Sequence, residues 1–172
     1  MELNVDLVAD WVRHKNIYLF GDMDENMGVN FISAIQKMKG PFKITICSQG
    51  GSAPMALTMV SLMQAFPHDI ETVAYGVVES AATLILAAGD SRKISSACTF
   101  MHHEDSGELA GTASTLEDYA RKLKMQDRLW NEKMEEFTKK DAAWWYEQAH
   151  RRDTTFTAKE LLTFGVVDEI VD

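Results

Sequence analysis

Apolar residues recur along the chain at two spacings, one typical of helices and one typical of strands. Three- and four-residue spacing predicts a short helix capped by Asn4, and further helices over 24–38, 54–66, 81–88, 114–138 and between Thr157 and Gly165. Alternating or continuous apolar runs predict strands over 16–20, 43–47, 72–75, 99–102 and 166–171, and near Lys93. This repeated alternation of strands and helices predicts an α/β fold.

The segment 114–138 carries the clearest helical pattern. Ser114 and Glu117 form a predicted capping box at its start. An apolar stripe then follows one face, made of Leu116, Ala120, Leu123, Trp130, Met134 and Phe137. The stripe has two interpretations: packing on its own domain, which the sequence favours, or packing against neighbouring subunits.

Composition narrows the protein class. The 172 residues, 46% hydrophobic and 25% charged, predict one globular domain over 1–172. A net charge of −9 argues against nucleic acid as a partner, because phosphate contacts need a basic surface. No segment has the length of a membrane span or the pattern of a secretory leader, so a cytoplasmic location is the default expectation. Cys47 and Cys98 lack metal-binding spacing and are interpreted as reduced, buried thiols.

Two glycine-containing segments could carry chemistry. Gly50 and Gly51 follow a strand and precede a helix, where backbone amides can receive negative charge, although such a pair is usually only a turn. In the segment 76–82, Ser80 stands where an apolar strand becomes an apolar helix. That position suits a nucleophile, whose following amide would face a developing oxyanion. A helix-capping serine is the alternative, and the segment alone favours it.

Two adjacent histidines end the strand over 99–102. Successive strand residues point to opposite faces, so His102 and His103 cannot both meet Ser80. A metal site is the alternative. It is disfavoured because adjacent side chains diverge and no third ligand has helpful spacing.

Taken together, these segments resemble the Clp peptidase family from about Asp6 to Val171. The resemblance rests on four motifs in order: the Gly-Gly turn at 48–51, the Gly-x-x-x-Ser segment at 76–80, the Met-x-His segment at 101–103, and Arg152-Asp153 followed by Phe156, Thr157-Ala158 and 165–168. Each motif alone is modest evidence, whereas four at near-family spacing are specific.

The resemblance implies a Clp/crotonase-like fold of stacked β-β-α units with a projecting handle helix. It also implies a serine endopeptidase with Ser80 as nucleophile, His103 as general base and Asp153 orienting the histidine. The amides of Gly51 and Ala81 would form the oxyanion hole, and no metal or organic cofactor is implied. Its family members enclose their sites in stacked heptameric rings, so we expect a tetradecamer that cuts unfolded polypeptides. An AAA+ unfoldase or a homologous subunit is the expected partner.

The chain departs from the family pattern at several positions. Gln49 replaces a proline, Val78-Glu79 add bulk and charge before the nucleophile, and Glu104-Asp105 follow His103. Arg151 stands where the family often has an acidic residue that helps to pair rings. Both ends are short relative to the family, which would remove the axial loop and would suit a virus-encoded or reduced form. These departures bear on substrate preference and regulation more than on chemistry.

Two other functions remain open at this point. An acyl-CoA hydratase or isomerase of the crotonase-like fold could use the Gly50 and Gly51 amides for a thioester oxyanion. It would have no use for the complete Ser/His/Asp set. A non-catalytic ring subunit would be expected to have lost members of that set, and this chain retains all three.

Overall fold

The computed structural model describes residues 4–172, which form an α/β domain around one sheet. The helices are α1 Val5–His14, α2 Glu25–Lys37, α3 Ala53–Ala65, α4 Ala81–Ala87, α5 Ala113–Phe137, α6 Ala142–Ala149 and α7 Ala158–Phe164. The strands are β1 Asn16–Met23, β2 Phe42–Gly51, β3 Ile70–Glu79, β4 Ser91–Ser95, β5 Thr99–His102, β6 Thr154–Phe156 and β7 Glu169–Val171. The predicted α/β class is confirmed. No helix within residues 4–172 has both the length and the apolar character that crossing a bilayer requires.

The long strand β3 determines how the sheet divides. Its first half pairs with β4 and its second half with β5, both in parallel. The main path of the sheet is β1-β2-β3-β4-β7, and β6 lies antiparallel to β5. Because β5 runs beside the end of β3, the residues that follow both strands lie close together.

Helix α4 runs through the hydrophobic core. All seven of its residues are buried, as expected for a helix that is apolar on every face. Helix α4 packs against β2, β3, β5, α3 and α5. The same core contains large, fully buried side chains such as Phe31, Phe100 and Trp145. The core therefore fixes the first turn of α4, which directly follows Ser80.

The structure confirms several of the helix ends that the sequence predicts. The Asn4 side chain accepts a hydrogen bond from Leu7 N–H and caps α1. Thr157 and Glu160 form the predicted capping box, and Gly165 ends α7 in the left-handed conformation. The predicted start of α5 is wrong, because Thr112 rather than Ser114 caps the helix by accepting from Thr115 N–H.

Other elements differ from the sequence prediction. The segment 48–51 is not a turn but the end of β2, and β1 continues through Gly21 with a register shift. Residues 142–149 and 154–156, for which no element was predicted, form α6 and β6. The added length of β2 carries Gly51 to the edge of the sheet where Ser80 lies.

Helix α5 packs on its own domain only through its last turns. Trp130 and Met134 are buried. Leu116, Met125 and Leu129 each expose more than two fifths of their surface. The prediction of packing along the whole stripe is therefore wrong for the first half of the helix, which projects with an apolar surface uncovered within residues 4–172.

Candidate active site

Ser80 occupies a strained turn between β3 and α4. Its φ of 50° and ψ of −123° lie in a region that non-glycine residues rarely adopt. Its N–H donates to Met101 O at 2.9 Å, and its carbonyl accepts from Thr83 N–H at 3.0 Å and Thr83 Oγ1 at 2.7 Å. These bonds hold the conformation that the core helix alone would not select. The helix-cap interpretation is wrong, because the Ser80 side chain makes no capping hydrogen bond.

The Ser80 hydroxyl instead meets His103. Ser80 Oγ lies 2.7 Å from His103 Nε2, a hydrogen-bond distance. The two residues are 23 positions apart, and the pairing of β3 with β5 brings them together, because Glu79 lies opposite Met101. A neutral imidazole with its proton on Nδ1 can accept the serine proton at Nε2.

His102 points the other way, into the core. It is 1% exposed and its ring packs edge-on against Trp145 at 5.3 Å. Among the described residues 4–172, neither ring nitrogen has a hydrogen-bond partner. Burial, with a smaller contribution from the charge of His103, lowers the pKa of His102 to about 4. His102 is therefore a neutral core residue, and only His103 faces the serine.

Asp153 immediately precedes β6, the strand that pairs with β5. In this antiparallel ladder, the last pair joins His102 to Thr154. His103 and Asp153 are the next residues beyond that pair on the two strands. The Asp153 side chain is exposed, and within residues 4–172 no hydrogen bond connects it to His103.

The end of β2 lies against the nucleophile. A side chain on Gly50 (φ 94°) would have its Cβ 2.7 Å from Ser80 Cβ and 2.8 Å from Ala81 N, so only glycine fits there. Ser48 secures this segment: its hydroxyl donates to Gly21 O at 2.5 Å and accepts from Gly50 N–H at 3.0 Å. Gly51 and Ala81 line one cleft with Ser80 and His103. The sequence-predicted oxyanion residues thus reach the same cleft as the nucleophile.

Comparison with known proteins identifies the family to which this arrangement belongs. The sequence matches the model of the Clp protease family over residues 2–172. The chain belongs to the Clp protease family. Its predicted enzyme class, a serine-type endopeptidase, is confirmed by this match. The acyl-CoA hydratase and non-catalytic alternatives are not favoured.

Several curated relatives cover nearly the whole chain. ATP-dependent Clp protease proteolytic subunit 2 of Thermobifida fusca is 26% identical over 167 residues, which are 93% of this chain and 82% of the relative. Proteolytic subunit 3 of Rhodococcus jostii is 30% identical over 174 residues, covering 96% and 86% respectively. The proteolytic subunit of Streptococcus mutans is 25% identical over 182 residues, covering 99% and 91%. The names describe these relatives as subunits of an ATP-dependent protease.

In this Clp protease chain, two carboxylates that sequence reasoning did not assign to the site line the cleft. Asp105 and Asp127 lie there beside Gln126 and Trp130. Asp105 N–H donates to Asp127 Oδ1 at 2.6 Å, and burial is the main cause that raises the pKa of both carboxyl groups. The acidic pair after His103 was visible in the sequence as a departure from the family. The sequence did not predict that Asp127 lies in the cleft, because it does not define which face of α5 lies towards the end of β5.

Proposed function

We propose that this chain hydrolyses peptide bonds with Ser80 as nucleophile, His103 as general base and Asp153 as the residue that orients His103. The observation that carries the proposal is the 2.7 Å contact between Ser80 Oγ and His103 Nε2 at a strained strand-to-helix turn. A serine held in that way is exposed to a substrate and can lose its proton to the imidazole as it attacks.

The steps follow from the positions of the groups. Ser80 Oγ attacks the peptide carbonyl while His103 Nε2 takes the hydroxyl proton. The carbonyl oxygen becomes negative and accepts hydrogen bonds from the Gly51 and Ala81 amides, which lie in the same cleft. His103 then gives its proton to the leaving amine. A water molecule, activated by His103, attacks the acyl-enzyme and releases the second product.

Asp153 is proposed as the third member on two grounds. Extending the β5–β6 register by one residue beyond the pair of His102 and Thr154 would set Asp153 opposite His103. The family motif also places its aspartate at this position. A carboxylate near His103 Nδ1 would hold the required tautomer and stabilise the imidazolium that forms in the transition state. A rotation of the exposed Asp153 side chain, or of the imidazole, would have to complete this contact.

The assembly is proposed in the same terms. Clp protease family membership implies assembly into rings and partnership with a Clp ATPase. We propose stacked heptameric rings, a tetradecamer, that take unfolded polypeptides from an AAA+ unfoldase or include a homologous subunit. The apolar residues exposed on the projecting half of α5 support self-association. A single peptidase domain over 1–172 and a cytoplasmic location stay predictions.

Labelling with a fluorophosphonate probe, combined with native mass measurement, tests the proposal. The probe should form a covalent adduct at Ser80 in the wild-type protein and none in the Ser80→Ala variant. Native mass measurement should give fourteen copies for both proteins, since the hydroxyl faces the cleft and supports no packing. Peptide cleavage that persists in the Ser80→Ala variant would refute the nucleophile assignment.

A further inference from the structure

The cleft beside Ser80 has an acidic wall, to which no lysine or arginine of residues 4–172 is paired by a salt bridge. Asp105 and Asp127 are both half-buried there. Neither takes part in a salt bridge within residues 4–172, where Asp168 pairs with Arg92 and Glu136 with Lys133. The electrostatic effect of His103, ahead of that of Lys122, lowers the pKa of Asp105, and His103 acts in the same direction on Asp127. The two carboxylates therefore line the cleft beside the catalytic histidine without a lysine or arginine salt bridge from residues 4–172.

The neighbouring Glu104 does not share this arrangement. Its carboxylate lies 3.3 Å from His150 Nδ1, on the side of the chain that packs towards α6. The charge inside the cleft is therefore that of Asp105 and Asp127. The backbone N–H of Asp105 donates to Asp127 Oδ1 at 2.6 Å and holds the Asp127 carboxylate against the backbone that follows His103.

An apolar surface lies beside the two carboxylates in the same cleft. Trp130 is 8% exposed, and Ala53 and Ala81 line the cleft together with it. A lysine or arginine side chain combines an aliphatic stem with a charged end, and its stem can lie along an aromatic ring. Trp130 would contact the aliphatic stem of such a side chain, and Asp105 and Asp127 would bind its charged end.

We propose that Asp105 and Asp127 determine specificity, and that the enzyme prefers substrates with lysine or arginine on the acyl side of the cleaved bond. This inference rests on the proposed function, because it assigns the residues that face the substrate in the same cleft. A basic side chain there neutralises two partly desolvated carboxylates, which is favourable. A leucine in that place would remove water from them and supply no hydrogen-bond donor, which is costly.

The test compares fluorogenic peptides that differ only in the residue before the cleaved bond: arginine, glutamine or leucine. We expect kcat/KM for the arginine peptide to exceed that for the leucine peptide by about tenfold or more. The glutamine peptide, whose amide supplies hydrogen-bond donors without charge, should fall between arginine and leucine. Raising the ionic strength should reduce the arginine preference, because salt screens partly exposed charges.

Variants separate specificity from general effects on His103. The substitutions Asp105→Asn and Asp127→Asn keep the shape of the side chain and remove its charge. Each should lower the arginine-to-leucine ratio of kcat/KM by about fivefold to tenfold. A change in the basicity of His103 would alter both substrates equally and cancel in this ratio. Asp118→Asn is the matched control, since Asp118 is exposed on the same helix and pairs with Arg121.

The outcomes distinguish this inference from the proposed function. A wild-type enzyme that labels at Ser80 and cuts the leucine peptide at least as well as the arginine peptide would overturn the inference alone. An unchanged ratio in both asparagine variants would do the same. Absence of both labelling and cleavage would overturn the proposed function and this inference together. If neither variant folds, the wild-type comparison of arginine with glutamine decides.

Discussion

Replacing His102 with leucine should make the protein more resistant to acid. His102 is 1% exposed, packs edge-on against Trp145 of α6 and immediately precedes His103. Within residues 4–172, neither of its ring nitrogens has a hydrogen-bond partner. The electrostatic effect of His103 contributes to the lowered pKa of His102, and Asn131 on α5 is a nearby polar neutral group. A proton added to His102 would therefore be buried without a compensating anion.

The size of the effect follows from the pKa of His102, which burial lowers from its ordinary value of 6.5 to about 4. The unfolded chain binds a proton at this residue as the pH falls through 6.5, whereas the folded chain resists until about 4. The free energy of unfolding is then unaffected above pH 6.5 and decreases as the pH falls between these values. The loss is about 2 kcal/mol at pH 5 and about 3 kcal/mol below pH 4.

Thermal unfolding of the wild type and the His102→Leu variant, from pH 8 to pH 4.5, measures this effect. The midpoint difference in favour of the variant should grow by roughly 4–8 °C between pH 8 and pH 5, given about 2–4 °C per kcal/mol in a chain of this size. Carboxylates that titrate in the same range act on both proteins and cancel in the difference. His68→Gln, at an exposed position, serves as the control. Parallel curves for wild type and variant would refute the reasoning.

Three further predictions concern the catalytic cleft. Ser80→Ala should lower peptide cleavage by about 10⁴-fold or more in a folded assembly, and residual activity above a tenth would contradict it. Gly50→Ala should abolish fluorophosphonate labelling, because the added Cβ would collide with Ser80. The control is Gly21→Ala, which is also at positive φ (81°) but in open space. It should keep full labelling and lower the free energy of unfolding by about 1 kcal/mol in chemical denaturation. Asp153→Asn should lower kcat by about 10³–10⁴-fold with the mass of the assembly unchanged, and full activity would exclude Asp153 from the mechanism.

Local chemistry was readable from the sequence, whereas strand ends were not. The caps at Asn4 and Thr157 depend on neighbouring residues alone, so pattern reasoning found them. From the sequence, Gly51 and Gly76 were expected to end their strands. In the structure β2 and β3 include both glycines at positive φ, because neighbouring strands supply hydrogen-bond partners for the backbone. Helix α6 went unpredicted because its eight residues are aromatic and small rather than periodic. Its stability comes from burying Trp145, which is a tertiary effect.

The site shows the same division. Ser80 alone favoured a helix cap, and only the resemblance of four motifs in order pointed to catalysis. The contact with His103 spans 23 residues and depends on how β3 divides between β4 and β5. The pair of Asp105 and Asp127 depends on the rotation of α5 about its own axis, which the apolar stripe did not define because half of that stripe is exposed.

The carboxylates of Asp105, Asp127 and Asp153 should separate into two kinds by their kinetic effects. Asp153 immediately precedes β6, whereas Asp105 and Asp127 line the cleft. A group that orients the base acts on every substrate alike, so Asp153→Asn should lower kcat for arginine and leucine peptides by one common factor. A group that contacts the substrate changes the ratio between them, as expected for Asp127→Asn. A double variant should then show the product of the two effects, because orientation of the base and recognition of the side chain involve different contacts. The opposite result would exchange the two roles. In that case Asp153→Asn would change the arginine-to-leucine ratio of kcat/KM, and Asp127→Asn would lower cleavage of both peptides by the same factor.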